Sequence, residues 1–282
     1  MSAARPSPSR RLVFRHPLVV RVTHWINVLC LACLLMSGLQ IFNAHPALYW
    51  GSRSNFDRPL LAMEAEQTPN AAPTGITTVL GHRFDTTGTL GLSRTATGQL
   101  AQLGFPDWIT LPAERDLATG RRWHFFFAWL FVANGLFYLV YTVVSRHLRR
   151  DLAPTGGQLR GIPASILDHL RLRFPKGKEA RHYNVLQKLS YLAVIFVLLP
   201  IMVLAGLTMS PAMGTAFPEL LMLFDGRQSA RTVHFILAFL IVTFTVVHVV
   251  MVLLSGVWNN LRSMVTGRYV IEEEKGESSP SA

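Results

Sequence analysis

Charge is what this 282-residue sequence has least of. Asp, Glu, Lys and Arg make up 15% of it and hydrophobic residues 50%, whereas soluble domains carry about 25% charged residues. The deficit is concentrated in four apolar runs, approximately Val22–Phe42, Trp123–Ser145, Leu189–Met209 and Thr232–Trp258, which hold no Asp, Glu, Lys or Arg. Each reaches the roughly 20 residues needed to cross a hydrocarbon core about 30 Å thick. No soluble core needs four such helices. The lack of membrane carboxylates also argues against a proton-relay transporter, which pairs intramembrane histidines with acids. Cysteine is equally scarce. Cys30 and Cys33 both lie in the first run, and a C-x-x-C without a second pair reads as small thiols packed in a helix. Without C-x-x-C-H, any haem is held with no covalent link to cysteine. The sequence shows no Ser/His/Asp set, no H-E-x-x-H and no glycine-rich phosphate loop, so it offers no catalytic residues for chemistry on a final substrate.

The charge that is present alternates with the runs. Net charge is +11. Five arginines and no acids precede the first run, segment 146–184 holds nine Lys or Arg against three acids, and segment 43–120 holds five against seven. That is the positive-inside pattern. It places both termini and 146–184 in the cytoplasm and 43–120 outside, in a multi-pass protein of a bacterial inner membrane whose first solvent partner is lipid. A nucleic-acid footprint would form one contiguous basic patch instead. The first run exceeds a signal-peptide h-region and lacks a following A-x-A site, so it reads as a retained helix.

The expected fold is therefore all-α: a four-helix membrane bundle over 22–258, with a basic tail over 1–21 and a charged tail over 259–282 that is disordered from Glu272. Turn signals at Asn70–Gly75, Thr86–Gly88 and Phe105–Asp107, with a β-branched run at Ile76–Val79, predict a loop-rich external cap with one hairpin over 43–120. Ile162–Phe174 mixes Ile, Leu and Arg as a short interfacial helix would. Pro200 should kink the third span.

Four of the ten histidines lie in or at the edges of spans: His24, His124, His234 and His248. Ionisable groups there are costly and usually functional. His234 and His248 are fourteen residues apart, which returns them to one helix face within about 40° and separates them by roughly 21 Å along the axis. Topology then sorts the four by depth. His124 and His234 share the outer level, and His24 and His248 the inner. Two histidines at one depth on facing helices can supply both axial ligands of one haem iron, so two levels give two haem b groups suited to electron transfer. Ligands this far apart cannot share one zinc ion. Arginine precedes histidine by three residues at Arg21, Arg121 and Arg231, where it can reach the interface and pair with a haem propionate. Gly38, Gly135 and Gly206 could admit a flat porphyrin, while Trp25, Trp123, Phe125–Phe127 and Trp258 read as interface anchors. His16, His45, His82, His147, His169 and His182 read as surface or headgroup positions.

The motifs R-V-T-H-W (21–25), G-R-R-W-H-F (120–125), Y-N-V-L-Q-K-L-S-Y (183–191) and R-T-V-H-F…H (231–248) give the chain its family resemblance. Over about 12–265 it resembles the bacterial cytochrome b561 and nickel-hydrogenase b-type cytochrome family, and most closely members described as thiosulfate reductase cytochrome b. The resemblance implies the same histidine pairing, quinone exchange near the inner haem, and an external soluble partner, a molybdopterin oxidoreductase. The function expected is a di-haem electron-transfer subunit between membrane quinone and that partner. The alternatives are a stand-alone superoxide:quinone oxidoreductase and a haem-free transporter or scaffold. The external segment is long for the family, and 183–191 has no role that follows from its residues alone.

Overall fold

The computed structural model describes residues 9–95, 97–146, 148, 153–171 and 184–273. Among these described residues four helices are long and apolar enough to cross a membrane: Leu18–Asn43 (α1), Leu117–Val144 (α2), Val185–Met209, and Arg227–Leu254 (α9). Each begins before its expected charge-free run, because helical hydrogen bonding continues past Arg21, Arg122, Lys188 and Arg231. The fourth stops short of Trp258. Gly256 takes φ +105, a left-handed conformation that ends the helix, and Trp258 falls in a separate helix, α10 (Val257–Thr266).

The third span is built in pieces, α5 (Val185–Ala193), a wider π turn (Val194–Leu198) and α6 (Leu199–Thr208), and two short helices, α7 (Pro211–Ala216) and α8 (Pro218–Leu223), follow it. The π turn stands directly before Pro200, whose ring would collide with the carbonyl four residues back in a regular helix. The expected kink therefore has a definite form. Asn184 starts α5 in a reciprocal capping box with Gln187, which gives part of the motif at 183–191 a structural task. Tyr183 lies outside the described residues. Lys188 is buried and donates to the Ala153 carbonyl and to Gln158 Oε1, both at 3.3 Å.

The chain forms two compact units, one of residues 26–135 and 198–242, the other of 1–25, 136–197 and 243–282. The first contains residues 43–120, and they correct the all-α expectation. In place of one hairpin there are an antiparallel sheet of β2 (Ala47–Leu48), β3 (Leu61–Glu66), β4 (Thr74–Val79) and β5 (His82–Asp85), in that order, and a hairpin of β6 (Gly91–Arg94) with β7 (Leu100–Leu103). Burial drives it. Leu39 and Phe42 at the end of α1 form one apolar cluster with Leu48, Met63 and Phe105. Asn43 fixes the join, donating to the Phe105 carbonyl at 2.9 Å and accepting from its N–H at 2.7 Å.

In the second unit, β1 (Ser9–Phe14) pairs antiparallel with β8 (Arg268–Glu273), with Leu12 opposite Val270. Both regions expected to be tails thus contribute a strand, and 274–282 lie outside the described residues. The interfacial helix expected at Ile162–Phe174 is seen over Ile162–Leu170 (α4), preceded by α3 (Gly156–Arg160); residues 172–174 lie outside the described residues. Cys30 is buried against Phe127 and Phe131, as a packed thiol should be.

Candidate functional site

The four span histidines meet as two pairs. In the first unit His124 on α2 and His234 on α9 face each other with ring centroids 6.3 Å apart and planes at 62°. In the second unit His24 on α1 and His248 on α9 do the same at 6.4 Å and 70°. Two imidazoles bound end-on to opposite sides of one metal, with metal–nitrogen bonds of about 2 Å, put their ring centroids about 6.3 Å apart. Both spacings fit an iron between the rings. Among the described residues no three His, Cys, Asp or Glu side chains converge. Each pair therefore offers two nitrogens and nothing more, too few for a protein zinc site and the number that axial haem ligation needs.

The tautomer of the His124–His234 pair follows from its hydrogen bonds. His234 Nδ1 lies 3.0 Å from the Met202 carbonyl oxygen. A carbonyl can only accept, so Nδ1 carries the proton and Nε2 keeps its lone pair. His124 Nδ1 lies 3.1 Å from Ser37 Oγ. The Ser37 hydroxyl proton is committed to the Cys33 carbonyl at 2.6 Å, so here too the oxygen accepts from Nδ1–H. Such contacts fix ring orientation and raise the basicity of a ligating nitrogen. In the inner pair, His24 meets Trp25 edge-on at 5.4 Å and His248 stacks on Phe244 at 6.1 Å.

Two of the three glycines stand against histidine rings. A Cβ on Gly38 would stand 3.4 Å from His124 Cε1, and one on Gly206 would stand 3.3 Å from His234 Cε1. They let an imidazole approach the neighbouring helix, whereas Gly135 has nothing within 4 Å. Ser37, Gly38, Met202 and Gly206 were not singled out together from the sequence. For His124 the available signal was the Ser37–Gly38 pair, a hydroxyl beside a small residue on a facing helix.

The three arginines have separate situations. Arg231 is half-buried, donates to the His45 carbonyl and lies over Phe42 at 5.4 Å. Arg21 donates to the Val265 carbonyl, and its Nε is buried without a partner, an orphaned donor of the kind a propionate would satisfy. Arg121 is exposed and lies over Phe125 at 5.7 Å. The start of α9 is latched to the external segment: Gly51 O accepts from the N–H groups of Gln228 and Ser229 at 3.1 and 3.2 Å, and Thr232 Oγ1 donates to Tyr49 O at 2.6 Å.

The remaining histidines diverge from a common surface reading. His16 is buried, His82 is exposed, and His45 stacks on Tyr49 at 5.7 Å. Burial, then the Arg231 charge, holds the His45 imidazole below its ordinary pKa, with Glu64 opposing. His147 and His182, and the side chain of His169, lie outside the described residues. Of the aromatics, Trp25 donates to the Met264 carbonyl at 3.1 Å, Trp123 stacks on Phe127 at 5.7 Å, and Trp258 is 81% exposed.

The family model for prokaryotic cytochrome b561 matches residues 15–267. A curated relative from Azospira oryzae, the putative protein-methionine-sulfoxide reductase subunit YedZ1, is 32% identical over 259 residues, covering 92% of this chain and 99% of its own. No solved structure matches.

Proposed function

The chain belongs to the prokaryotic cytochrome b561 family, and from that premise we propose that it is a di-haem membrane subunit carrying electrons between quinone and a soluble oxidoreductase. The observation that carries this reading is the pair of histidine couples at 6.3 and 6.4 Å. His124 and His234 are the axial ligands of one haem b, and His24 and His248 those of the other. The haem supplies one-electron chemistry when bound. The protein's part is to hold two imidazole lone pairs on each axis, which closes the iron to other ligands and favours electron transfer over oxygen binding. Arg21, Arg121 and Arg231 answer the propionate charge. The amino terminus and the carboxyl terminus are cytoplasmic, and the 43–120 segment faces the periplasm.

The partner docks on that external side. The name of the relative, a methionine-sulfoxide reductase subunit, supports a soluble oxidoreductase there, of the molybdopterin class that the sequence resemblance implies. The 43–120 segment packs on the end of α1 and the start of α9. That ordered surface supports docking of a partner over direct reaction with a small reductant such as superoxide. The test is proteoliposomes loaded with quinol and followed at the haem bands. Haem reduction by quinol and reoxidation on adding the soluble partner is the expected result. Reduction without reoxidation by any such partner would remove the subunit role.

A further inference from the structure

Outside the histidine sites, the second unit holds a cavity of about 590 Å³ where β1, β8 and α10 meet. Among the residues whose side chains are described, Arg10, Arg11, Arg262 and Arg268 line it together with Thr266. Its apolar part is the paired rung Leu12 and Val270. All four arginines are exposed. The strand register sets Glu272 opposite Arg10, so the cationic character rests chiefly on Arg262 and Arg268, at the other end.

We propose that this cavity binds a phosphate group carried by an anionic phospholipid. Guanidinium forks match phosphate oxygens two at a time, and Arg262 and Arg268 bring two of them to one space beside the Thr266 hydroxyl. Basic pockets on the cytoplasmic side of membrane helices take anionic headgroups. The apolar surroundings favour a lipid over a free anion. Leu12 is 56% exposed, and Phe14 and Leu18, which lead from β1 into α1, are 70% and 63% exposed. Together they offer an acyl chain an apolar track beside the arginines. The site is also tied to the histidine helix. Arg21 and Trp25, on either side of His24, donate to the Val265 and Met264 carbonyls of α10. A ligand on Arg262 and Thr266 therefore braces the segment that carries His24.

The test is native mass spectrometry of the full chain, titrated with phosphatidylglycerol, phosphatidylcholine and inorganic phosphate in separate arms. It reads binding, so it is independent of the haem assignment. Saturable phosphatidylglycerol binding that Arg262→Gln/Arg268→Gln weakens about tenfold or more is expected. The equally charge-depleted Arg53→Gln/Arg58→Gln, altered in the external segment, should keep that binding intact. Tight binding of inorganic phosphate alone, lost in the first variant, upholds the site with a free anion as its ligand. Equal retention by the native chain and Arg262→Gln/Arg268→Gln, or equal loss in both double variants, overturns the proposal. Should the first double variant not fold, the single variants Arg262→Gln and Arg268→Gln carry the same comparison.

Discussion

His124 and His234 face each other across 6.3 Å, and each is held from behind on Nδ1, one by Ser37 and the other by the Met202 carbonyl. The two contacts leave both Nε2 lone pairs free for the space between the rings. The protein thus settles tautomer and orientation before any metal arrives, which lowers the ordering cost of binding one.

Ser37→Ala removes one acceptor, Ser37 Oγ, from His124 Nδ1 but leaves His234 untouched. Loss of an outer hydrogen bond of this kind costs about 10–100-fold in metal affinity. The outer haem should therefore be lost first on dilution or competition with a haem-binding protein, while the inner haem stays. Equal retention of the two haems in the native chain and the variant would show that the serine has no orienting part.

Gly206→Ala places a methyl 3.3 Å from the His234 ring. Alanine is favoured over glycine in a helix by about 1 kcal/mol, so propensity alone predicts a more stable chain. The expected result is instead a changed low-spin signal of one haem by electron paramagnetic resonance, with the ring rotated or displaced. Gly135→Ala, with nothing within 4 Å, should leave both signals as they were.

Asn43 is buried and joined to both backbone groups of Phe105. Replacing it with alanine orphans a buried N–H and C=O, at about 1–3 kcal/mol for each group left unsatisfied. Limited proteolysis should cut within 43–120 faster, with the inner haem spectrum unchanged. An unchanged cleavage rate would place the anchor of the external segment elsewhere.

His45 titrates below its ordinary value because of burial and the Arg231 charge. A depressed value means that the unfolded chain binds the proton more readily. The stability contributed by neutral His45 is therefore full above about pH 6.5 and is lost as pH falls through its folded-state value. The external segment should grow more protease-sensitive on acidification to pH 5. His45→Gln should flatten that dependence, and an identical slope in the variant would assign it to another group.

The spans and the four histidines were legible because both rest on composition and helical spacing. Charge-free runs are rare outside membranes, and fourteen residues return a helix to nearly one face. The sheet of the external segment was only partly legible. β4 contains the β-branched run Ile76–Val79, but β3 reads Leu-Ala-Met-Glu-Ala-Glu and β7 Leu-Ala-Gln-Leu, weak strand formers that are placed by pairing and burial. The second contacts of the histidines were hidden for a simpler reason. Every residue has a carbonyl, so nothing in the identity of Met202 marks its oxygen as the partner of His234. The contacts of Gly38 and Gly206 with the histidine rings were hidden in the same way, since a glycine shows that room is needed but not what fills it.

The central claim is the sorting of four histidines into two haem sites, and the most direct measurement is haem per chain by pyridine haemochrome in the native protein and four single alanine variants. The account predicts two b-type haems in the native chain. It predicts one haem in each variant, with His124→Ala and His234→Ala sharing one residual spectrum and His24→Ala and His248→Ala sharing the other. A native chain with one haem or none, or four folded variants with the same residual spectrum, would contradict it.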